Sequence, residues 1–257
     1  MLHDSLHDDA WRSPLSLRSE DVFAGQSRDR SDDTLPLPAA ILWDMDGTLV
    51  NTEPLWMAAE TGLVESWGGT WTHEDGLSLV GNPMKVSGEV LQGRGVGLSV
   101  DEIVDHLNAE VARGVAEHTP WQPGARELLA ALAAAGVPQA LVTSSYRELA
   151  DPFAEVAGVF ATVVAGDEVD RPKPDPQPYL LAAERLGVDI ARCVVVEDSP
   201  TGITSGVAAG ARVLAVEVFR ELPDLPGLST TASLADISVE DLGRIGAGAV
   251  LDKLGRA

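Results

Sequence analysis

The chain is expected to fold as an α/β protein, a parallel sheet with helices on both faces and a small helical domain inserted after its first strand. Three observations predict this. From residue 123 onward, apolar runs of strand length alternate with segments of helical spacing, the pattern of parallel strands joined by crossover helices. Between Pro54 and His118 that alternation fails, and only helical spacing is seen. Finally, two apolar runs stop on paired carboxylates, Asp44 with Asp46 and Glu197 with Asp198. Open α/β sheets bind ligands beyond the carboxyl ends of their strands, so these pairs stand where chemistry is expected in a Rossmann-like sheet.

Residues 39–45 form a short apolar run between Pro38 and Gly47-Thr48, as in a strand buried on both faces. Pro54 can open a helix with Thr52 as its cap. Leu55, Ala58, Ala59, Gly62, Leu63 and Trp67 then keep helical spacing until Gly68-Gly69 stops it. Gly81-Asn82-Pro83-Met84-Lys85 interrupts the pattern. Ser99 and Glu102 make a capping box for a second helix, on which Ile103, Leu107, Val111 and Val115 share one face. Strands are then expected at 139–143, 161–164, 193–196 and 213–216, with helices at 127–135, 149–156, 179–186 and one ending at Gly210. That makes about five parallel strands, followed after Pro223 by one or two helices without a motif. The expected division is a disordered tail at 1–37, a core at 38–50 and 120–257, and a helical cap domain at 51–119.

Composition sets the class. Of 257 residues, 45% are hydrophobic, enough for a core, and a net charge of -22 with no basic stripe argues against a nucleic-acid partner. No apolar segment approaches ~18 residues and no signal-peptide core is seen near the start, so neither membrane insertion nor export is expected. The single Cys193 lies in an apolar run as a buried thiol, which suits a cytoplasmic setting. His3, Asp4, His7, Asp8 and Asp9 read as part of a solvated tail. Only three lysines, Lys85, Lys173 and Lys253, occur among 18 basic residues, so each invites a reason.

Four strand ends carry polar groups. Asp44 and Asp46 follow the first strand, where Gly47 lets the chain turn and both carboxylates approach one reacting group. Thr143, with Ser144 and Ser145, follows the second, placing hydroxyls and backbone N–H groups within reach of a phosphate oxygen or a helix end. Lys173 stands between two prolines in a stiff loop, a single cation aimed by its backbone. Glu197 and Asp198 end a further strand. Four carboxylates at adjacent strand ends repel unless a divalent cation neutralises them, and ligation by oxygens alone is what Mg²⁺ requires.

Together these residues resemble the haloacid dehalogenase superfamily of phosphotransferases. The first motif resembles Asp44-x-Asp46-Gly47-Thr48, the second Thr143, the third Lys173 and the fourth Glu197-Asp198, in the family's order from residue 39 to 216. The resemblance implies that Asp44 attacks phosphorus, Asp46 serves as acid and then base, and Thr143 and Lys173 grip the phosphoryl group. It implies that Mg²⁺ is held by Asp44, the Asp46 carbonyl and Asp198, with Glu197 a ligand or a partner behind it. The substrate is expected to be a small phosphorylated sugar, polyol or hydroxy acid, met by Trp56, Asn82, Lys85 and Ser144. A β-phosphoglucomutase-like mutase is the alternative, and a non-catalytic binding domain a third. The mutase group has a cap His where this chain has Trp56 and a cap Arg near Met84, and hydrolysis is therefore preferred. The oligomeric state is left open.

Overall fold

The computed structural model describes residues 37–217, 222–223 and 225–255. The expected tail at 1–37 lies outside these residues apart from Leu37, which is exposed. The first strand, β1 (Ala40–Trp43), is followed by four helices, α1 (Glu53–Ser66), α2 (His73–Leu77), α3 (Met84–Gly93) and α4 (Val100–Glu117). The alternation then resumes with α5 (Ala125–Ala134), β2 (Gln139–Val142), α6 (Arg147–Ala157), β3 (Thr162–Val164), α7 (Gln177–Leu186), β4 (Cys193–Glu197), α8 (Pro200–Ala208) and β5 (Arg212–Val216). A sixth strand, β6 (Ser229–Thr231), and α9 (Val239–Gly246) complete the order. Five strands were expected. β6 was missed because Ser-Thr-Thr has no apolar run; it pairs at the sheet edge with β5, and Thr230 Oγ1 donates to Asp252 Oδ1 at 2.8 Å.

All pairings are parallel and the strand order is β3-β2-β1-β4-β5-β6. β1 is therefore central, and the chain reverses its direction of winding between β1 and β4, the place where such sheets open a crevice. The register sets the chemistry there. Trp43 lies opposite Leu141 on one side and Val196 on the other, so the next residues along are Asp44, Val142 and Glu197.

Alternate strand residues face opposite ways and divide the core in two. Ile41, Trp43, Leu141, Val194, Val196 and Leu214 belong to a cluster covered by α5, α6 and α9, whereas Ala40, Leu42, Ala140, Val142, Val195 and Val213 face α7 and α8. The first cluster continues into the helical insertion through Leu63, Leu91, Ile103, Leu107 and Val111. A buried polar chain is satisfied on the way: Trp43 Nε1 donates to Gln139 Oε1 at 2.9 Å, and Gln139 Nε2 donates to Leu129 O at 3.0 Å.

The capping box expected at Ser99 and Glu102 is present, and each group bonds the other's backbone. Thr52 differs from expectation. It holds the N-cap position of α1, but its side chain makes no cap bond because it is used elsewhere. The two connections between sheet and insertion run side by side, Val50 bridging Trp121 in antiparallel fashion and Asn51 N donating to Pro120 O at 2.7 Å. Gln122 adds a third tie, its Nε2 donating to Gly47 O at 2.8 Å.

Candidate active site

Lys173 joins the strand ends. Its ammonium is buried and donates to Asp44 Oδ1 at 2.7 Å, Glu197 Oε1 at 2.7 Å and Val142 O at 2.9 Å. All three donors are used, and the Tyr179 ring lies 5.1 Å beneath the nitrogen. Burial disfavours the charged amine, but the charges of Asp44 and Glu197 prevail and hold the Lys173 pKa above its ordinary value. Burial pushes the Asp44 carboxyl up to about 7; the charge of Glu197 adds to the rise and Lys173 opposes it. Asp198 is raised well above its ordinary value by burial, then by the charges of Asp44 and Glu197. One ammonium thus faces three buried carboxylates.

This excess of negative charge is what a hard cation relieves. Asp44, Glu197 and Asp198 each bring an oxygen within 4.8 Å of the others. They are not equivalent. Glu197 Oε1 already accepts from Lys173 and, at 2.9 Å, from the Tyr179 hydroxyl. Its Oε2 accepts from Asp198 N, Ser199 N and Ser199 Oγ at 3.0 to 3.1 Å. Among the described residues Asp198 receives only Thr48 Oγ1 at 2.9 Å, and Asp44 only Lys173, so these two have coordination capacity to spare. The donor set fits a divalent oxygen-seeking ion on Asp44 and Asp198, with Glu197 orienting Lys173 from behind.

Glycine makes the approach feasible. Gly47 has φ of 89°, and a Cβ there would lie 2.2 Å from Asp198 Oδ2. Gly202 is closer still: a Cβ would meet Glu197 Oε1 at 1.6 Å. Gly47→Ala is expected to weaken divalent-cation stimulation of activity at least ~10-fold, since it strains the turn and displaces Asp198. A cation titration of initial rate measures this, and an unchanged half-saturation concentration would refute it.

Asp46 turns to other partners. Thr52 Oγ1 at 2.6 Å and Trp56 Nε1 at 3.1 Å donate to Oδ1, while Ser145 Oγ at 2.7 Å and Thr143 Oγ1 at 3.3 Å donate to Oδ2. Two donors come from the insertion and two from the sheet. A protonated Asp46 needs an acceptor, and the three hydroxyls can reverse to provide one. Trp56 cannot.

The expected residues Asp44, Asp46, Thr143, Ser144, Lys173, Asp198, Trp56 and Asn82 line one cleft, open to solvent. Glu197 lies behind it, fully buried. Lys85 is not brought there: it is exposed in the first turn of α3, 3.8 Å from Asp101, so the expectation that it meets substrate is not carried by the geometry. Trp56 does more than present apolar surface, because its N–H reaches Asp46. Sequence reasoning gave no role to Tyr179 or Glu60, and named Thr48 and Ser145 only as members of their motifs. Ser145 stood beside Thr143 as a visible candidate, whereas Tyr179 looked like any aromatic on the inner face of a helix.

The haloacid dehalogenase-like hydrolase family matches residues 41–216, a stretch that runs from β1 to the end of β5 and takes in every strand end described above. The chain belongs to that family. Hexitol phosphatase A of Escherichia coli (strain K12) is 35% identical over 196 residues, covering 72% of this chain and 85% of that protein. The bifunctional riboflavin kinase/FMN phosphatase of Arabidopsis thaliana is 32% identical over 217 residues, covering 80% of this chain. The match spans 56% of the length of that bifunctional protein. Among solved structures, CbbY from Rhodobacter sphaeroides in complex with xylulose-(1,5)bisphosphate superposes with a TM-score of 0.70 at 25% identity, covering 78% of this chain and 96% of that one. With named phosphatases among its relatives, this haloacid dehalogenase-like hydrolase stands with the phosphoric monoester hydrolases of the family. Among the described residues, no helix is long and apolar enough to cross a membrane.

Proposed function

We propose that the chain is a Mg²⁺-dependent phosphatase of small phosphorylated sugars or polyols, acting through an aspartyl phosphate on Asp44. The observation that carries this reading is the state of Asp44: buried at the end of β1, one oxygen fixed by Lys173, the other without a hydrogen-bond partner among the described residues and lining the cleft. That oxygen attacks phosphorus while the bond from phosphorus to the leaving oxygen breaks. Asp46, 2.6 Å from Thr52 and 2.7 Å from Ser145, delivers its proton to the leaving oxygen. Asp46 then takes a proton from water as that water attacks phosphorus, the bond from phosphorus to Asp44 breaks, and both aspartates return to their starting forms.

Lys173 and Thr143 hold the phosphoryl oxygens. Mg²⁺, when bound by Asp44, Asp198 and the Asp46 carbonyl, supplies charge neutralisation to the transferring group. Glu197 acts through Lys173 and not on the metal. Residues 51–119 serve as a cap, and the paired connections at Val50 and Trp121 are the pivot on which it opens to admit substrate. Thr201 Oγ1, donating to Gly81 O at 2.6 Å, ties the cap to the sheet in the arrangement seen here. The cytoplasmic setting belongs to this proposal, supported by the one cysteine, a buried thiol.

The test is a phosphate-release screen over hexitol and sugar monophosphates with Mg²⁺, ranked by kcat/KM. Release from none of them, with the folded protein verified, would sink the reading. A mutase must hold a second phosphate, and Lys173, already committed to two carboxylates, is the sole cation lining the cleft among the described residues. Free phosphate without glucose 6-phosphate is therefore the expected outcome with β-glucose 1-phosphate. Faster formation of the isomer than of phosphate would reverse that conclusion.

A further inference from the structure

Glu60 is an unusual residue to find on the inner face of α1. It is 5% exposed, and it lines the same cleft as Asp44 from the cap side. Its Oε2 accepts from the buried Trp71 indole at 3.1 Å, and Gly76 of α2 is seated so closely that a Cβ there would stand 3.3 Å from the same oxygen. One carboxylate oxygen is thus held in place from two sides. Its Oε1 has no hydrogen-bond partner among the described residues and is not sealed from solvent. A buried carboxylate normally spends both oxygens on protein donors. Here one is left facing a cleft that must receive a leaving group.

We infer that Glu60 is the specificity-determining residue for the leaving group, its free Oε1 accepting a hydrogen bond from a substrate hydroxyl and its charge turning away substrates with a second anionic group. The inference rests on the phosphatase reading and narrows it to neutral, hydroxyl-bearing leaving groups, against hydroxy-acid phosphates and bisphosphates. The other cap side chains on the cleft agree. Trp56, Leu79, Asn82, Met84 and Ser87 are uncharged, Glu53 adds a second acidic group, and among the described residues no cap cation reaches the cleft: Lys85 faces Asp101, and Arg94 pairs with Asp75 while lying 5.5 Å over the Trp71 ring. Burial, and after it the charge of Glu53, opposed by the Trp71 hydrogen bond, moves the Glu60 carboxyl up to about 7. A hydroxyl can therefore be met by either protonation state, by the carboxylate as acceptor or by the acid as donor, whereas a carboxylate or second phosphate is repelled by the charged form and is accepted only if Glu60 first takes up a proton.

The test compares kcat/KM for sorbitol 6-phosphate and 2-phosphoglycolate in the parent chain, Glu60→Gln and Glu60→Asp, with p-nitrophenyl phosphate reporting the chemistry separately. The parent is expected to prefer the hexitol phosphate at least ~100-fold, the scale of discrimination that a site's hydrogen-bonding groups supply. Glu60→Gln should reduce that ratio at least ~10-fold, through a higher KM for sorbitol 6-phosphate and a lower one for phosphoglycolate. Glu60→Asp, which keeps the charge and shortens the reach, should retain the rejection of phosphoglycolate. A ratio unchanged within about twofold in Glu60→Gln, or a parent that prefers phosphoglycolate, overturns the inference while leaving the phosphatase reading in place. A parent that hydrolyses none of the three monoesters overturns both.

Discussion

Asp44→Asn is expected to remove turnover, by ~10³-fold or more in kcat, without unfolding the chain. The amide keeps the volume and can still accept from Lys173, but it has no anionic oxygen to place on phosphorus. Stability should not fall. Asp44 carries an unfavourable charge in the cation-free fold, raised to about 7 by burial and by Glu197, and the amide removes that burden while Lys173 keeps Glu197 and Val142 O as partners. Thermal melting in chelator and single-turnover phosphate release check the two halves together. A kcat within tenfold of the parent would exclude the covalent route, and a melting point lower by more than ~5 °C would mean that the charged form is a net structural asset.

The second large effect is loss of activity on chelation, together with a change in how stability depends on pH. The sign follows from the direction of the shifts. Asp44 and Asp198 have folded pKa values above those of the unfolded chain, so the folded state binds more protons between those limits. Their contribution is fully present below pH ~4 and is lost as pH rises through about 7 for Asp44, while Asp198, raised well above its ordinary value, contributes with the same sign. Glu60, also raised to about 7, adds a slope of the same sign. The chelated protein should therefore melt at a temperature lower by ~5 °C or more at pH 8 than at pH 5, at roughly 2–4 °C per kcal/mol for a chain of this size. Adding Mg²⁺ should recover most of that loss at pH 8 and little at pH 5, where protons compete for the same oxygens. Full activity after exhaustive chelation, or equal stabilisation by Mg²⁺ at both values, would rule out a cation on these carboxylates.

Much of this was legible from residue order because a parallel sheet buries its strands on both faces, and apolar runs such as Val194-Val195-Val196 stand out in an acidic chain. The strand ends were legible for the same reason: Asp44, Lys173 and Asp198 interrupt apolar or proline-framed surroundings, and each is found on the cleft. What escaped was whatever depended on a partner far away in sequence. Thr52 looked like a helix cap because hydroxyls before Pro-containing helices usually are; only folding brings Asp46 to 2.6 Å from it. Glu60 went unread, since one charge on α1 says nothing about Trp71 and α2 closing over it. Glu197 was expected as a metal ligand or as a partner behind one, and residue type alone could not show that five donors meet its two oxygens. Ser229-Thr230-Thr231 escaped because an edge strand with hydroxyl side chains has no apolar signal to read.

Asp46 is held by Ser145 and Thr143 from the sheet and by Thr52 and Trp56 from the start of the insertion. This limits modular engineering. In a chimaera that grafts another helical insertion onto this sheet, the transplanted segment brings or withholds half of the hydrogen bonds that orient the acid, so a swap intended to alter selectivity alone would change proton delivery too. The workable seam lies after Trp56, not at Asn51, because a cut there leaves the recipient its own Thr52 and Trp56 and exchanges only the surfaces that meet the leaving group.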